Sequence, residues 1–322
     1  VKIVFMGTPE FAVPALGQLC AAGLAPEMVY TQPARRRGRG LKVVQTPVGR
    51  LAEELGLSLR QPQVLQNREE MGLLRELSPD LVITAAFGRI FRKRLLELPR
   101  LGCINLHPSL LPLYRGLSPV TSALFNGDQV TGNTVYRMVK DVDAGPILTQ
   151  REEAIRRDDT CGSLTMRLAE LGGALVVETV HGLASGSITG SPQDHDRASF
   201  AGKLCREDGR LDWNQPARRI EDMVRAYDPW PGTFTFKEDT RVKVLKVRAV
   251  DDFAHEEIPG TLMKSENRLL LVAANPGAVE MLKVQCENCC PQNGITFCNG
   301  QRVKPGTRFR SIRSSSEEAD CG

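Results

Sequence analysis

The sequence predicts an α/β protein: a mostly parallel, Rossmann-like sheet followed by a smaller β-barrel. Three observations carry this. Mostly apolar runs at residues 1–5 and 80–88 are bounded by helical patterns, as buried parallel strands are. The first run enters a helix through one tight turn, GTPEFAVPAL. From Thr233 onward the pattern changes to short strands separated by turn residues. A chain of 322 residues suits two domains better than one. Its 41% hydrophobic and 25% charged content is that of an ordinary globular protein, and a net charge of +4 permits a polyanionic partner without demanding one.

The elements follow in order. Residues 1–5 read as a buried strand, with a helix running to about Ala22. A dinucleotide fingerprint needs three spaced glycines at this turn, and only Gly7 is present, so a nicotinamide cofactor is not expected. Residues 27–31 form a second strand. Residues 47–55 are helical, with Thr46 as the cap and Pro47 in the first turn. Residues 57–62 are extended, and 67–77 form an amphipathic helix. The run 80–88 fits a central strand, whose C-terminal end is where such sheets bind ligands. A strand at 102–106, a helix over 117–126 and strands at 133–139 and 147–155 come next. Thr160 caps a long helix to about Ser185. No run approaches the ~18 apolar residues of a membrane span, and no signal-peptide pattern precedes the first strand. Nine cysteines, mostly scattered, fit free thiols in a reducing cytoplasm.

The densest stretch is 102–116, GCINLHPSLLPLYRG. Asn105 and His107 lie two residues apart, so in an extended segment they share a side. An amide and an imidazole together at a strand's end suit a site that polarises a carbonyl and moves a proton. Pro108 and Pro112 stiffen the loop. The competing reading makes His107 a hydrogen-bonded structural residue; the density of special residues in one loop argues against it. Arg115 has two readings, a guanidinium that fixes the loop or a polar substrate contact, and the first is favoured.

NLHPSLLPLYRG resembles the signature of enzymes that transfer formyl groups from 10-formyltetrahydrofolate, and the similarity runs from residue 1 to about 310. The resemblance implies a formyltransferase fold with an OB-like C-terminal barrel. It implies domains at 1–188 (catalytic) and 206–311 (tRNA-binding barrel), a linker at 189–205 and a disordered tail at 312–322. The implied reaction passes a formyl group to the α-amine of methionine on initiator tRNA, in a cytoplasmic monomer with no membrane association. The implied catalytic residues are Asn105, His107 and Asp143, the last matched through Asp143-Ala144-Gly145. From sequence alone Asp143 also reads as an aspartate in a tight turn, with Asp141 as competitor. The folate pocket implied by the family comprises Ser109, Leu110, Leu111, Pro112, Phe87 and Gly88, with Phe11 nearby. No metal is needed.

Arg35, Arg36, Arg37, Arg39 and Lys42 fall within eight residues with no acid among them. Glycines give such a loop reach, and guanidiniums contact phosphates in pairs; the alternative is a solvated basic loop. Gly38-Arg39-Gly40 matches a tRNA-contacting insertion of the family. In the barrel, Arg241 and Lys243 share one face as tRNA contacts, while Lys246 and Arg248 share the other unless a bulge intervenes. Trp230 either stacks on a base or packs at a junction, with packing favoured. His195 is expected in a solvated loop. Cys286, Cys289, Cys290 and Cys298 begin with a zinc-like spacing, but the second Cys-x-x-Cys half is missing, so no metal is expected there. Three alternatives stay open: the same chemistry on an amino-sugar nucleotide or glycinamide ribonucleotide, a hydrolase of formyl-folate, and an RNA-binding protein with a dead transferase domain.

Overall fold

A computed structural model describes residues 1–37, 42–263 and 270–312. Arg39 and residues 313–322 lie outside the described residues, as do the side chains of Arg35, Arg36, Arg37 and Lys42. The chain folds as two compact units. Of the described residues, the first comprises those within 1–119, 129–155 and 163–202, and the second those within 120–128, 156–162 and 203–312.

The first unit is organised by a seven-stranded sheet. Its strands are β1 (Ile3–Gly7), β2 (Met28–Tyr30), β3 (Leu59–Arg60), β4 (Leu81–Ala85), β5 (Cys103–His107), β6 (Val130–Arg137) and β7 (Ile147–Ala154). Their spatial order is β7-β6-β5-β4-β1-β2-β3. Strands β1 to β5 pair in parallel, and β6 and β7 add antiparallel strands at one side. All five residues of β1 and of β4 are buried, which is why their sequences are apolar rather than alternating. The order reverses between β1 and β4, the switch point beside which such sheets open a crevice. Gly7 ends β1 because a Cβ there would stand 2.7 Å from the Cβ of Ala12, at the start of the following helix.

The helices confirm the local signals. In α1 (Val13–Ala21) Pro14 sits in the first turn. Thr46 caps α2 (Pro47–Glu54), its hydroxyl accepting the Gly49 N–H at 3.0 Å. Asn67 precedes α3 (Arg68–Leu77) and caps it through the Glu70 N–H, so the helix starts one residue later than its periodicity suggests. The long helix Cys161–Ser185 begins immediately after Thr160.

The stretch 189–201 is less a spacer than its polar composition suggests. Phe200–Ala201 pairs in parallel with Arg115–Gly116, Ser191 bridges to Ile147, and Gln193 is buried. Its polar groups find partners inside the first unit, which extends to Gly202.

The second unit carries strands β8 (Thr233–Lys237), β9 (Thr240–Val250), β10 (Leu262–Met263), β11 (Leu271–Ala273), β12 (Ala278–Cys286) and β13 (Phe309–Arg310). They run in the order β10-β11-β12-β9-β8-β13. A bridge between Thr261 and Arg308 joins the two ends, with Phe309 N–H donating to Gly260 and Leu262 N–H to Thr307. The sheet therefore closes into a barrel and leaves no open edge there. Val242, Val244, Val272, Met281, Val284, Phe297 and Phe309 fill it. Register shifts around Lys246 mark a bulge in β9. Val242, Val244 and Val247 point inward, so Lys243, Lys246 and Arg248 all reach the outer surface. The bulge thus gathers on one wall the cations that strict alternation would have split.

Candidate active site

The site is built at the C-terminal end of β5, where the parallel part of the sheet meets β6. Asn105 and His107 project from β5 on one side, as their spacing predicts. In register, Asn105 stands beside Thr84 of β4 and opposite Tyr136 of β6. This row is joined by hydrogen bonds. The Thr84 hydroxyl donates to Asn105 Oδ1 at 2.6 Å, and Asn105 Nδ2 donates to the Tyr136 hydroxyl at 3.4 Å.

Asp143 arrives from the turn between β6 and β7, at φ 52°. Short polar side chains are among the few that tolerate this left-handed conformation. Its carboxylate is held from two sides: Oδ1 accepts the Tyr136 hydroxyl at 2.6 Å, and Oδ2 accepts the Gly116 N–H at 2.7 Å. Oδ2 also lies 3.8 Å from His107 Nδ1. The three segments expected to converge are thus within reach of one another.

The tautomer of His107 follows from its other nitrogen. Nε2 lies 2.9 Å from the Tyr114 carbonyl, which can only accept, so Nε2 carries the proton. In the neutral ring Nδ1 is then a bare lone pair facing the carboxylate. Burial pushes the His107 pKa down from 6.5, while Asp143 and the Tyr114 carbonyl act in the opposite direction. His107 is 4% exposed and Asp143 9%. The Tyr136 phenol is pushed well above its ordinary pKa by burial and by Asp143, so it remains a donor. The result is a neutral base beside a carboxylate able to stabilise the imidazolium once it forms.

A further tier holds this arrangement. Arg115 is buried and directs its guanidinium at Gln193 Oε1, with Nε at 3.1 Å and Nη2 at 2.6 Å. Nη2 also lies 3.1 Å from Nδ1 of the exposed His195. Gln193 Nε2 donates to the carbonyls of Asp143, at 2.9 Å, and of Gly145, at 2.7 Å. Arg115 therefore fixes loops, the reading favoured from the sequence. Gly116 stands at φ 118°, where a Cβ would run into the Ala201 carbonyl.

The residues expected to line a folate pocket are placed unequally. Phe11, Phe87, Ser109 and Leu111 are buried; Leu110 and Pro112 are partly exposed and Gly88 is exposed. Phe87 packs edge-on against Phe91, 6.4 Å between ring centroids. The Ser109 hydroxyl donates to Leu113 at 2.7 Å, and its carbonyl accepts the Thr134 hydroxyl at 2.6 Å. Thr84, Tyr136, Gln193 and Gly116 belong to the constellation, and sequence reasoning missed them. Tyr136 showed only as a β-former, because its place opposite Asn105 exists only once the strands are paired. Gln193 had no signal.

In the second unit, the Arg241 guanidinium stacks on Phe234, 3.7 Å from the ring centroid. A hollow of about 280 Å³ beside it is lined by Arg241, Lys243, Gln285, Cys286, Glu287 and Asn288. Trp230 stands half-exposed. Among the described residues no group of three or more His, Cys, Asp or Glu side chains could hold a metal ion. No described helix is long and apolar enough to cross a membrane.

Comparison with known proteins decides the family. Residues 1–180 match the formyl transferase family, and residues 203–302 match the C-terminal domain of formyl transferases. The chain belongs to the formyl transferase family. A methionyl-tRNA formyltransferase of Roseiflexus castenholzii is 43% identical over 309 residues, covering 96% of this chain and 98% of that protein. One from Caldanaerobacter subterraneus is 39% identical over 95% of this chain and 99% of its own length. The same fold appears at 17% identity in an N-formyltransferase of Helicobacter canadensis crystallised with folinic acid and dTDP-3-aminofucose. Its TM-score is 0.67, covering 87% of this chain and 98% of that one. HypX from Aquifex aeolicus shares the fold at TM-score 0.62 and 16% identity, over 94% of this chain and 48% of its own. This formyl transferase is therefore an enzyme that transfers one-carbon groups.

Proposed function

We propose that this chain transfers the formyl group of 10-formyltetrahydrofolate to the α-amine of methionine on initiator tRNA. The observation that carries the reading is the convergence of Asn105, His107 and Asp143 at one rim of the sheet, in a chain 43% identical to a methionyl-tRNA formyltransferase over almost its whole length. We read the first unit as catalytic and the barrel as tRNA-binding, in a cytoplasmic monomer.

The amine nitrogen attacks the formyl carbon, an oxyanion forms, and the bond from that carbon to N10 of the folate then breaks. The second N–H of the Asn105 amide is available to the oxyanion; one such donor is typically worth about 3 kcal/mol. The attacking amine must lose a proton and N10 must gain one. His107 Nδ1, neutral and unprotonated, accepts the first and returns it to N10. While His107 carries the charge, the Asp143 carboxylate at 3.8 Å stabilises it. Leu110, Pro112 and Gly88 are the pocket candidates with exposed surface for a pterin, while Phe11, Phe87, Ser109 and Leu111 act by shaping the loops around it. The hairpin of Arg35–Arg37 with Lys42–Val44 and the wall of Arg241 and Lys243 are the proposed tRNA contacts.

The test is an assay with charged initiator tRNA and 10-formyltetrahydrofolate. Formylmethionine and tetrahydrofolate should appear in equal amounts. Formate without formylmethionine would instead make the protein a hydrolase.

A further inference from the structure

The phenol of Tyr136 is a buried titratable group that the proton transfer above leaves unused. Yet it touches most of the machinery. Its oxygen donates to Asp143 Oδ1 at 2.6 Å and accepts from Asn105 Nδ2 at 3.4 Å. Its ring stands edge-on to the His107 imidazole, centroids 6.5 Å apart at 85°. Tyr136 is 3% exposed.

We propose that Tyr136 is a positioning residue for formyl transfer, its phenol holding the Asp143 carboxylate turned toward His107 and tying that carboxylate to the Asn105 amide. This rests on the reading of the site given above. The geometry supports it in three ways. Asp143 sits in a turn, outside any helix or strand, so its carboxylate takes its direction from the groups that bond it. Among the described residues it has two hydrogen-bond donors, the phenol and the Gly116 N–H; together they set the plane of the carboxylate, and with one alone it can swing. The phenol also couples two functions, because the group that holds the charge-stabilising carboxylate is the one that receives the oxyanion donor's other N–H.

The surroundings leave few competitors for this role. Among the described residues, the titratable groups facing the phenol are His107 on β5 and Asp143 on the turn after β6. On β4 the neighbour is the neutral Thr84 hydroxyl, whose acceptors are Asn105 Oδ1 and the Ile104 carbonyl. Arg115 addresses Asp143 only through Gln193 and its backbone carbonyl.

Removal of the donor has a signed consequence. An imidazole beside a less dispersed negative charge holds its proton more tightly. This moves the acid limb of the rate profile to higher pH.

The experiment compares Tyr136→Phe with the unaltered chain in formyl transfer to charged initiator tRNA, across pH and in single turnovers. The expected result is a loss of kcat of about 10- to 100-fold, the size typical of a hydrogen bond to a charged group. KM for both substrates should stay within about twofold, and the acid limb should move upward. In an Asp143→Asn background the same substitution should cost less than about twofold, since the two act as a unit. An unmoved acid limb, or a loss as large in that background as alone, overturns the proposal and leaves Tyr136 a packing residue. Where the phenylalanine variant does not fold, by near-ultraviolet circular dichroism, Tyr136→3-fluorotyrosine keeps the ring and makes the donor more acidic. The limb should then move to lower pH, and a stationary limb counts against the proposal. If His107→Ala and Asp143→Asn keep normal turnover, the reading of the whole site falls; if they lose it while Tyr136→Phe does not, only the role of Tyr136 falls.

Discussion

The rim of the first unit's sheet and the outer wall of the barrel are both polar, yet they are polar in opposite ways. At the rim, His107, Asp143, Tyr136 and Arg115 are all buried, and each has named partners inside the protein. On the barrel, Lys243 and Lys246 stand in solvent, and the exposed Arg248 pairs with the buried Glu280. Buried groups act at short range, so ångström placement decides their effect and burial moves their protonation. Exposed cations are screened, act collectively and tolerate displacement. In the function we propose, the first region does chemistry on a single carbonyl and the second holds an extended polyanion, and substitutions should separate the two.

The largest expected effect is at the rim. His107→Ala should lower kcat by about 10²- to 10⁴-fold, the range for loss of a general acid–base, with little change in KM for tRNA. Steady-state kinetics checks this, and unchanged turnover would remove His107 from the reaction. Gly116→Ala comes next. It forces a Cβ against the Ala201 carbonyl at φ 118° and displaces the N–H that holds Asp143. It should destabilise by about 2 kcal/mol or more and lower turnover as well, read from denaturant melts and kcat together. Gln193→Leu should cost about 1–3 kcal/mol, because it leaves the buried Arg115 guanidinium and two loop carbonyls without their shared partner. If its melt and kcat match the unaltered chain, the supporting tier carries no weight.

On the barrel the signature reverses. Arg241→Ala and Lys243→Ala should each raise KM for tRNA several-fold at near-constant kcat. Each should also flatten the log–log salt dependence by about one unit. Equal slopes would break the contrast drawn between the regions. The smallest effect is a slope in stability. Because His107 titrates below 6.5 in the folded chain, the unfolded chain binds more protons in the window below that value. Stability should therefore rise with pH through that window and carry no His107 contribution above it. His107→Asn should flatten this part of a stability–pH curve, and an identical curve would contradict the buried neutral imidazole.

Much of this is legible in the sequence. Asn105 and His107 share a side because a strand repeats every two residues, and β5 obeys that rule. Thr46 is readable as a cap because its oxygen replaces a missing helix partner, whereas Asn67, taken as the first helical residue, turns out to cap the helix that follows it. The strands of the barrel are readable as strands, but not the bulge at Lys246 that moves two cations to the other face. Tyr136 reads only as a β-former, since nothing local says that β6 lies opposite Asn105. Gln193 sits in a polar stretch that looks like a spacer. Its importance comes from contacts made about 50 and 80 residues away along the chain, to Asp143 and Arg115, which no local pattern encodes.

Neighbours a few residues apart are enough to specify the helices with their caps, the apolar strands that stack into the sheet and the loop that carries an amide and an imidazole. They are not enough to specify that the carboxylate is held by a phenol and a backbone N–H, that the imidazole is neutral with Nδ1 bare, or that the barrel closes through Thr261 and Arg308. Those features come from folding itself. Protonation and orientation are set by burial and by partners brought together from distant parts of the chain, and these exist only once the chain has folded.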